Sequence, residues 1–111
     1  MISIHENTLI YNQTTYTFSH KILEALCMDR KLLVVFDPYE SRCPQKNLCC
    51  FSLSKELLWQ IAPPEQKAYQ TALPFVGVSL INGQCYAVDF SGRSFSLDLQ
   101  TGTITGQRFV K

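Results

Sequence analysis

The chain has 111 residues, of which 46% are hydrophobic and 17% charged, and its net charge is +1. This composition excludes a disordered chain. The near-neutral charge argues against an electrostatically driven nucleic-acid binder. No run approaches the ~18 apolar residues of a membrane span, and the N-terminal residues lack a secretory signal pattern. We therefore expect one β domain over residues 1–111 that binds neither nucleic acid nor membrane.

The cysteines are odd in number and irregularly spaced, at Cys27, Cys43, Cys49, Cys50 and Cys85. Such an arrangement does not fit a disulfide framework, so it predicts reduced thiols in a cytoplasmic protein. The spacing of Cys43, Cys49 and Cys50 also lacks the short Cys-x-x-Cys interval of zinc knuckles. We therefore expect neither a metal nor another cofactor.

The N-terminal residues consist of short β-prone runs separated by Glu6-Asn7 and Asn12-Gln13, which predicts a hairpin. Residues 21–28 are ambiguous, because apolar residues recur at helical spacing over about two turns. We favour a strand there, with a short helix as the alternative. The unbroken apolar run within 31–37 is typical of a strand that is covered on both faces.

Pro38 ends that strand, since proline cannot donate a hydrogen bond to the ladder. A polar loop is predicted over residues 38–47. Two further strands follow, at 48–53 and 57–61. The second long loop covers residues 62–73, with a short helical turn as an option within 65–72.

The last third of the chain has the clearest strand pattern. Strands are predicted at 75–81, 85–90, 93–99 and 103–110, and Asn82-Gly83 is a strong signal for a two-residue hairpin turn. The predicted fold is all-β with antiparallel meanders. It forms a β-sandwich or half-propeller of about two four-stranded sheets plus the N-terminal hairpin.

Two stretches of the chain share a pattern, with residues 48–58 aligning with residues 85–95. The segment CYAVDFSGRSFSLDLQTGTI resembles the blade repeat of quinoprotein-type β-propellers, in which such a strand precedes a glycine turn. KELLWQI is similar to the strand that follows the turn. Lys55 stands where that repeat usually has glycine. Two blades do not close a propeller, so the resemblance implies facing sheets or a partial propeller.

The ENTLIYN start, the WQI segment and the terminal meander together resemble small bacterial immunity proteins, including those of contact-dependent growth-inhibition systems. The resemblance is one of size and layout. It implies a cytoplasmic, non-enzymatic inhibitor that binds a cognate toxin and covers the toxin's active site.

Candidates for chemistry are few. His5 and His20 are the only histidines, and a minimal hydrolase would pair one of them with a cysteine. Arg93 is expected to form a cross-strand ion pair with Asp89 or Asp98. Asp37 and the indole of Trp59 are assigned structural roles, in a turn and in the core. We therefore expect a protein that is not an enzyme.

The two long loops carry the predicted partner-binding residues, because aromatic and arginine side chains are enriched at protein interfaces. These residues are Tyr39, Glu40, Arg42, Glu65, Gln66 and Tyr69. The predicted function is that of an immunity protein that neutralises a bacterial toxin by direct binding. A small-molecule-binding β domain and the minimal hydrolase remain alternatives, and the oligomeric state is left open.

Overall fold

The computed structural model describes residues 2–40, 46–61 and 74–108. They form eleven strands: β1 (Ile2–His5), β2 (Thr8–Tyr11), β3 (Thr14–Thr17), β4 (Ile22–Met28), β5 (Lys31–Phe36), β6 (Leu48–Ser52), β7 (Leu57–Gln60), β8 (Phe75–Ile81), β9 (Gln84–Asp89), β10 (Ser94–Leu97) and β11 (Ile104–Arg108). Among these residues, no helix is long and apolar enough to cross a membrane.

The strands form three antiparallel sheets, each a meander in chain order. Sheet A consists of β1, β2 and β3, sheet B of β4 to β7, and sheet C of β8 to β11. The predicted all-β class with antiparallel meanders in facing sheets is confirmed. The N-terminal hairpin, however, is extended by a third strand, because two successive tight turns each reverse the chain within the first 17 residues.

The ambiguous segment is a strand, β4, which pairs with β5. The connection is the two-residue turn Asp29-Arg30, in which both residues have positive φ values of 53° and 61°. Positive φ at both positions matches the right-handed twist of a hairpin. This turn brings the apolar residues of β4 against β5, so tertiary pairing outweighs their helical propensity.

Sheet B is the middle layer of the molecule and is apolar on both faces. Leu33 and Val35 of β5 face a core shared with sheet C, whereas Leu32, Val34 and Phe36 face a second core shared with sheet A. All five residues are buried. The predicted burial of this run on both faces is therefore confirmed.

Two polar or amphipathic side chains tie sheets B and C together. The buried Asn47 donates to the carbonyl oxygens of Phe36 and Phe75 and accepts the backbone N–H of Phe75. Trp59 is 8% exposed and its indole N–H donates to the Leu99 carbonyl oxygen at 2.8 Å. The assignment of Trp59 to the core is confirmed.

The first strands of the three sheets lie side by side, with β1 against β4 and β4 against β8. From that side each sheet extends outward by its remaining strands. Sheet A has three strands and sheet B has four, so the stack is incomplete beside β7.

Candidate functional site

The described residues that flank the two long connections lie at one end of the stack, which we call the loop end. Tight turns at Asn12-Gln13, Asp29-Arg30 and Asn82-Gly83 occupy the opposite end. The loop end contains the residues after β5 and those that flank the second long connection, Ile61 and Pro74. Asp37 organises this end as predicted, because its side-chain oxygen accepts the backbone N–H of Tyr39 at 2.9 Å.

Tyr39 is one of two exposed aromatic residues among the described residues of the loop end. Its side chain is 73% exposed and its ring lies 5.8 Å, centroid to centroid, from the ring of Phe90, which is 52% exposed. The two rings join the ends of sheets B and C. Phe90 was not singled out by the sequence, because nothing along the chain places it beside Tyr39.

Glu40 contacts the linker between sheets A and B. One carboxylate oxygen accepts the Lys21 backbone N–H at 2.9 Å, and the other lies 3.6 Å from Nδ1 of His20. The remaining predicted partner-binding residues lie outside the described residues; they are Arg42, Glu65, Gln66 and Tyr69.

A groove with a volume of about 380 Å³ lies between sheets A and B, and its far end reaches His20. Its wall on the side of sheet A is formed by Tyr16, Thr17, Phe18, Ser19 and His20. Its wall on the side of sheet B is formed by Phe36, Cys49, Phe51, Lys55, Leu57 and Gln60. We call this feature the β3–β7 groove.

The groove exists because sheet A is one strand narrower than sheet B. β3 is the last strand of sheet A, whereas β7 continues sheet B by one more strand. Leu57 on β7 is consequently 54% exposed although it faces the same side as the buried residues beneath sheet A. A concave site lined partly by apolar and aromatic side chains is typical of a binding surface.

The floor of the groove is aromatic. The ring of Phe18 lies 4.9 Å from that of Phe51 and 5.7 Å from that of Phe36, centroid to centroid. His20 packs edge-on against Phe36 at 5.6 Å. Three phenylalanine rings from three separate strands or linkers therefore form an apolar floor.

Lys55 is the cation at the mouth of the groove. Its ammonium lies 5.7 Å from the centroid of the Tyr16 ring, and the Tyr16 hydroxyl donates to the Leu53 carbonyl oxygen at 2.9 Å. Lys55 also has a φ of +76°, in the left-handed region that favours glycine. Strain of this kind is often found at functional sites.

The turn that contains Lys55 has a counterpart in sheet C, where the chain repeats. Ser52 donates its backbone N–H to Glu56 and accepts that of Lys55. Asp89 forms the same two bonds, with Arg93 and Gly92. Lys55 therefore occupies the position of Gly92, whose φ is +91°, so the aligned segments form turns of the same geometry.

A protein-family model matches residues 1–109 of the chain. The family is described as Domain of unknown function (DUF7957). The chain belongs to the DUF7957 family. A comparison with curated proteins found no match.

Three of the described thiols of this DUF7957 chain, those of Cys49, Cys50 and Cys85, are buried. Burial raises the pKa of the Cys50 and Cys85 thiols to about 11 each. Burial also raises the pKa of Cys49, although a hydrogen bond from Gln60 partly opposes it. Because the thiolate is the nucleophile, burial disfavours the reactive form of these three thiols.

The histidine candidates occupy different places in the DUF7957 fold. His5 is exposed at the end of β1, whereas His20 lines the groove together with Cys49. The Cys49 thiol donates to the Lys46 carbonyl oxygen at 3.9 Å and accepts from the Gln60 side-chain nitrogen at 3.6 Å. Within residues 2–40, 46–61 and 74–108, no cluster of acidic, histidine or cysteine side chains is placed to hold a metal.

The predicted ion pair of Arg93 forms with Asp89, with Nε and Oδ2 2.7 Å apart. It lies within one turn rather than across two strands, and Asp89 is only 2% exposed. The carboxylate also accepts the backbone N–H groups of Ser91 and Arg93. Asp89 is thus the structural centre of the β9–β10 turn.

Proposed function

We propose that this protein is a non-catalytic binding protein that holds a partner protein, and that the partner is a toxin which it neutralises as an immunity protein. The observation that carries the proposal is the β3–β7 groove, a cavity of about 380 Å³ with an aromatic floor and an exposed leucine at its rim. A site of this kind provides apolar contact area in a concave surface, which favours tight and specific binding.

The exposed aromatic pair Tyr39 and Phe90 supports a protein partner. Tyrosine and phenylalanine are enriched in the centres of protein interfaces, where they bury a large area at a small cost in side-chain entropy. Glu40, next to Tyr39, contacts His20 at the end of the groove. The loop end and the groove therefore form one continuous surface that a protein partner would cover.

The state of the cysteines supports a cytoplasmic role without thiol chemistry. Cys27, Cys49, Cys50 and Cys85 are free. Free thiols are usual in reducing compartments. The buried ones have raised pKa values, and protonated thiols neither attack a substrate nor bind a metal readily.

Co-expression tests this function. The product of the reading frame adjacent to the gene is expressed in a bacterial host with and without this chain, and growth is measured. We expect growth arrest by that product alone and rescue by the chain. Equal growth in both cultures, or arrest that the chain does not relieve, would refute the role as an immunity protein.

A matched pair of variants locates the binding surface. Leu57→Glu places a charge at the rim of the groove, whereas Ile10→Glu places one at a similarly exposed position, since Ile10 is 46% exposed on the middle strand of sheet A. We expect Leu57→Glu to abolish rescue and Ile10→Glu to retain it. Both variants are checked for folding by circular dichroism.

Two other functions are favoured by particular observations. The cavity volume lies within the range of about 300–1,000 Å³ typical of small-molecule sites. A thermal-shift screen with fatty acids and aromatic metabolites would reveal such a ligand. His20 and Cys49 line the same groove, so a minimal hydrolase remains testable with activated esters, where Cys49→Ser would remove the activity.

A further inference from the structure

The outer edge of β3 differs from the edges of sheets B and C. In sheets B and C, every edge strand is paired with its neighbour through a register shift of the kind that a β-bulge produces. These edge strands are β4, β7, β8 and β11. Sheet A pairs in regular register throughout. Bulges twist an edge away from other strands and thereby prevent unwanted pairing. Sheet A lacks this protection.

The sequence of β3 also leaves its edge open. Its residues, Thr14–Thr17, include neither a charged side chain nor a proline, the two other common means of blocking an edge. The other edge strand of sheet A, β1, lies beside β4. Among the described edge strands, β3 therefore stands out as regular, uncharged and facing outward.

Alternation along the hairpin shows which backbone groups are available. Tyr11 and Thr14 flank a two-residue turn and so bond to each other, and the Phe18 N–H donates to the Asn7 carbonyl oxygen at 2.9 Å. The backbone groups that form hydrogen bonds with β2 are therefore those of Thr14, Tyr16 and Phe18. The N–H and C=O groups of Thr15 and Thr17 point to the open side of β3.

A strand added at this edge would lie where sheet A is incomplete. It would become the fourth strand of sheet A, above β7, and alternate side chains would point into the β3–β7 groove. Those side chains would contact Phe18, Phe51 and Leu57. An extended peptide satisfies the backbone groups of the edge and fills the groove at the same time, which neither a small molecule nor a helix does.

The charge of the groove indicates which side chains the added strand should carry. Among the described residues that line the groove, Lys55 is a cation and none is a carboxylate. Its ammonium is held over the Tyr16 ring at the mouth of the groove. An acidic side chain near one end of the added strand would pair with it.

We propose that the partner protein binds by strand addition: an extended segment of the partner, with alternate apolar side chains and an acidic residue near one end, pairs with β3 as an antiparallel fourth strand of sheet A. The proposal rests on the proposed function in one respect, namely that the segment belongs to a partner protein. The backbone of Thr15 and Thr17 and the side-chain groove form the two halves of the site.

The test uses a synthetic probe, a capped peptide of about seven residues that alternates leucine with threonine and begins with glutamate. It is titrated to about 1 mM into the full-length chain labelled with ¹⁵N, and amide hydrogen exchange is followed by NMR. We expect exchange at Thr15 and Thr17 to slow by about tenfold or more, with new cross-strand contacts between β3 and the peptide.

Two variants of one residue provide the control. Thr15→Pro removes the outward N–H, and we expect it to abolish peptide binding. Thr15→Ala changes the side chain and keeps the N–H, and we expect it to bind as the wild type does. If Thr15→Pro fails to fold, a peptide that is N-methylated at alternate residues replaces it, and we expect this peptide not to bind.

Several outcomes would overturn the proposal. One is absence of binding at the highest concentration, and another is a set of shifts in groove side chains without protection of the Thr15 and Thr17 amides. Protection of these amides that depends on protein concentration alone would assign the edge to a second copy of the chain instead. The two proposals can fail separately. If co-expression rescue persists in the Thr15→Pro variant, the partner binds elsewhere. Strand addition is then refuted, and the proposed function stands.

Discussion

Lys55 has a backbone conformation that is unfavourable for its side chain. Its φ is +76°, at the position where the equivalent turn in sheet C has Gly92. An L-residue in the left-handed region costs about 1–2 kcal/mol relative to the usual region, so a lysine at this position lowers stability relative to glycine. The lysine ammonium lies over the Tyr16 ring at the groove, which suggests that its side chain serves in binding.

We therefore expect Lys55→Gly to stabilise the protein by about 0.5–1 kcal/mol, because glycine adopts this φ without strain. Binding of the acidic peptide probe should weaken in the same variant. Denaturant unfolding and NMR titration measure the two effects. Lys55→Ala is the control, since it removes the ammonium but keeps the strain, and it should lose binding without gaining stability. A Lys55→Gly variant no more stable than the wild type would contradict this account.

Glu24 is a half-buried carboxyl between β4 and sheet C. Burial raises its pKa above the ordinary value of 4.5, although a hydrogen bond from the Val78 backbone partly opposes this shift. The folded protein therefore binds this proton more tightly than the unfolded chain does. Its stability falls as pH rises from 4.5 through the raised pKa, and remains lower at neutral pH.

Glu24→Gln should remove this loss, since glutamine keeps an oxygen to accept the Val78 N–H and carries no charge. We expect the variant to have a higher melting temperature than the wild type at pH 7 and an equal one near pH 4, where both side chains are neutral. Glu56→Gln is the control, because Glu56 is exposed. A difference that is the same at both pH values would contradict the assignment.

The β6–β7 and β9–β10 turns have the same backbone hydrogen bonds but are stabilised by different side chains. In the β9–β10 turn the buried Asp89 carboxylate accepts two backbone N–H groups and the Arg93 guanidinium. In the β6–β7 turn the Ser52 hydroxyl accepts the Glu56 backbone N–H at 3.1 Å. The hydroxyl therefore performs part of the role of the carboxylate.

This equivalence predicts a graded loss of stability. Asp89→Ala leaves the backbone N–H groups of Ser91 and Arg93 without their acceptor and should cost about 2 kcal/mol. Asp89→Ser places at this position the side chain that the other turn uses, and it should cost about half as much. Urea unfolding of both variants checks the order. If the two variants lose the same free energy of unfolding, a serine hydroxyl does not replace the Asp89 carboxylate in the β9–β10 turn.

At the scale of the whole molecule, the strands were predictable because their signals are local. Tight turns such as Asn82-Gly83 and the apolar run of β5 identify strands, and the apolar run also indicated that β5 is covered on both faces. An N-terminal hairpin of two strands was predicted, whereas sheet A has three strands. The sequence of such short β-prone runs does not show how many of them pair in one sheet. The order of the three layers depends on packing between sheets.

The groove was not predictable for a related reason. Its floor unites Phe18, Phe36 and Phe51, which are far apart in the chain and show no common motif. The cavity itself arises from a missing fourth strand, which is a property of the stack and not of any segment. One signal was visible, namely Lys55 at a turn position that favours glycine. Tyr39 was predicted as a binding residue, and its exposure beside Phe90 is consistent with that prediction.

The proposed partner protein would cover the β3–β7 groove and the loop end beside it. Hydrogen–deuterium exchange of the full-length chain, alone and with the product of the adjacent reading frame, tests this coverage. We predict slower exchange in β3, in residues 18–20 and in β7, and little change in the turn at Asn82-Gly83. Slower exchange confined to sheet C, with β3 unchanged, would contradict the account.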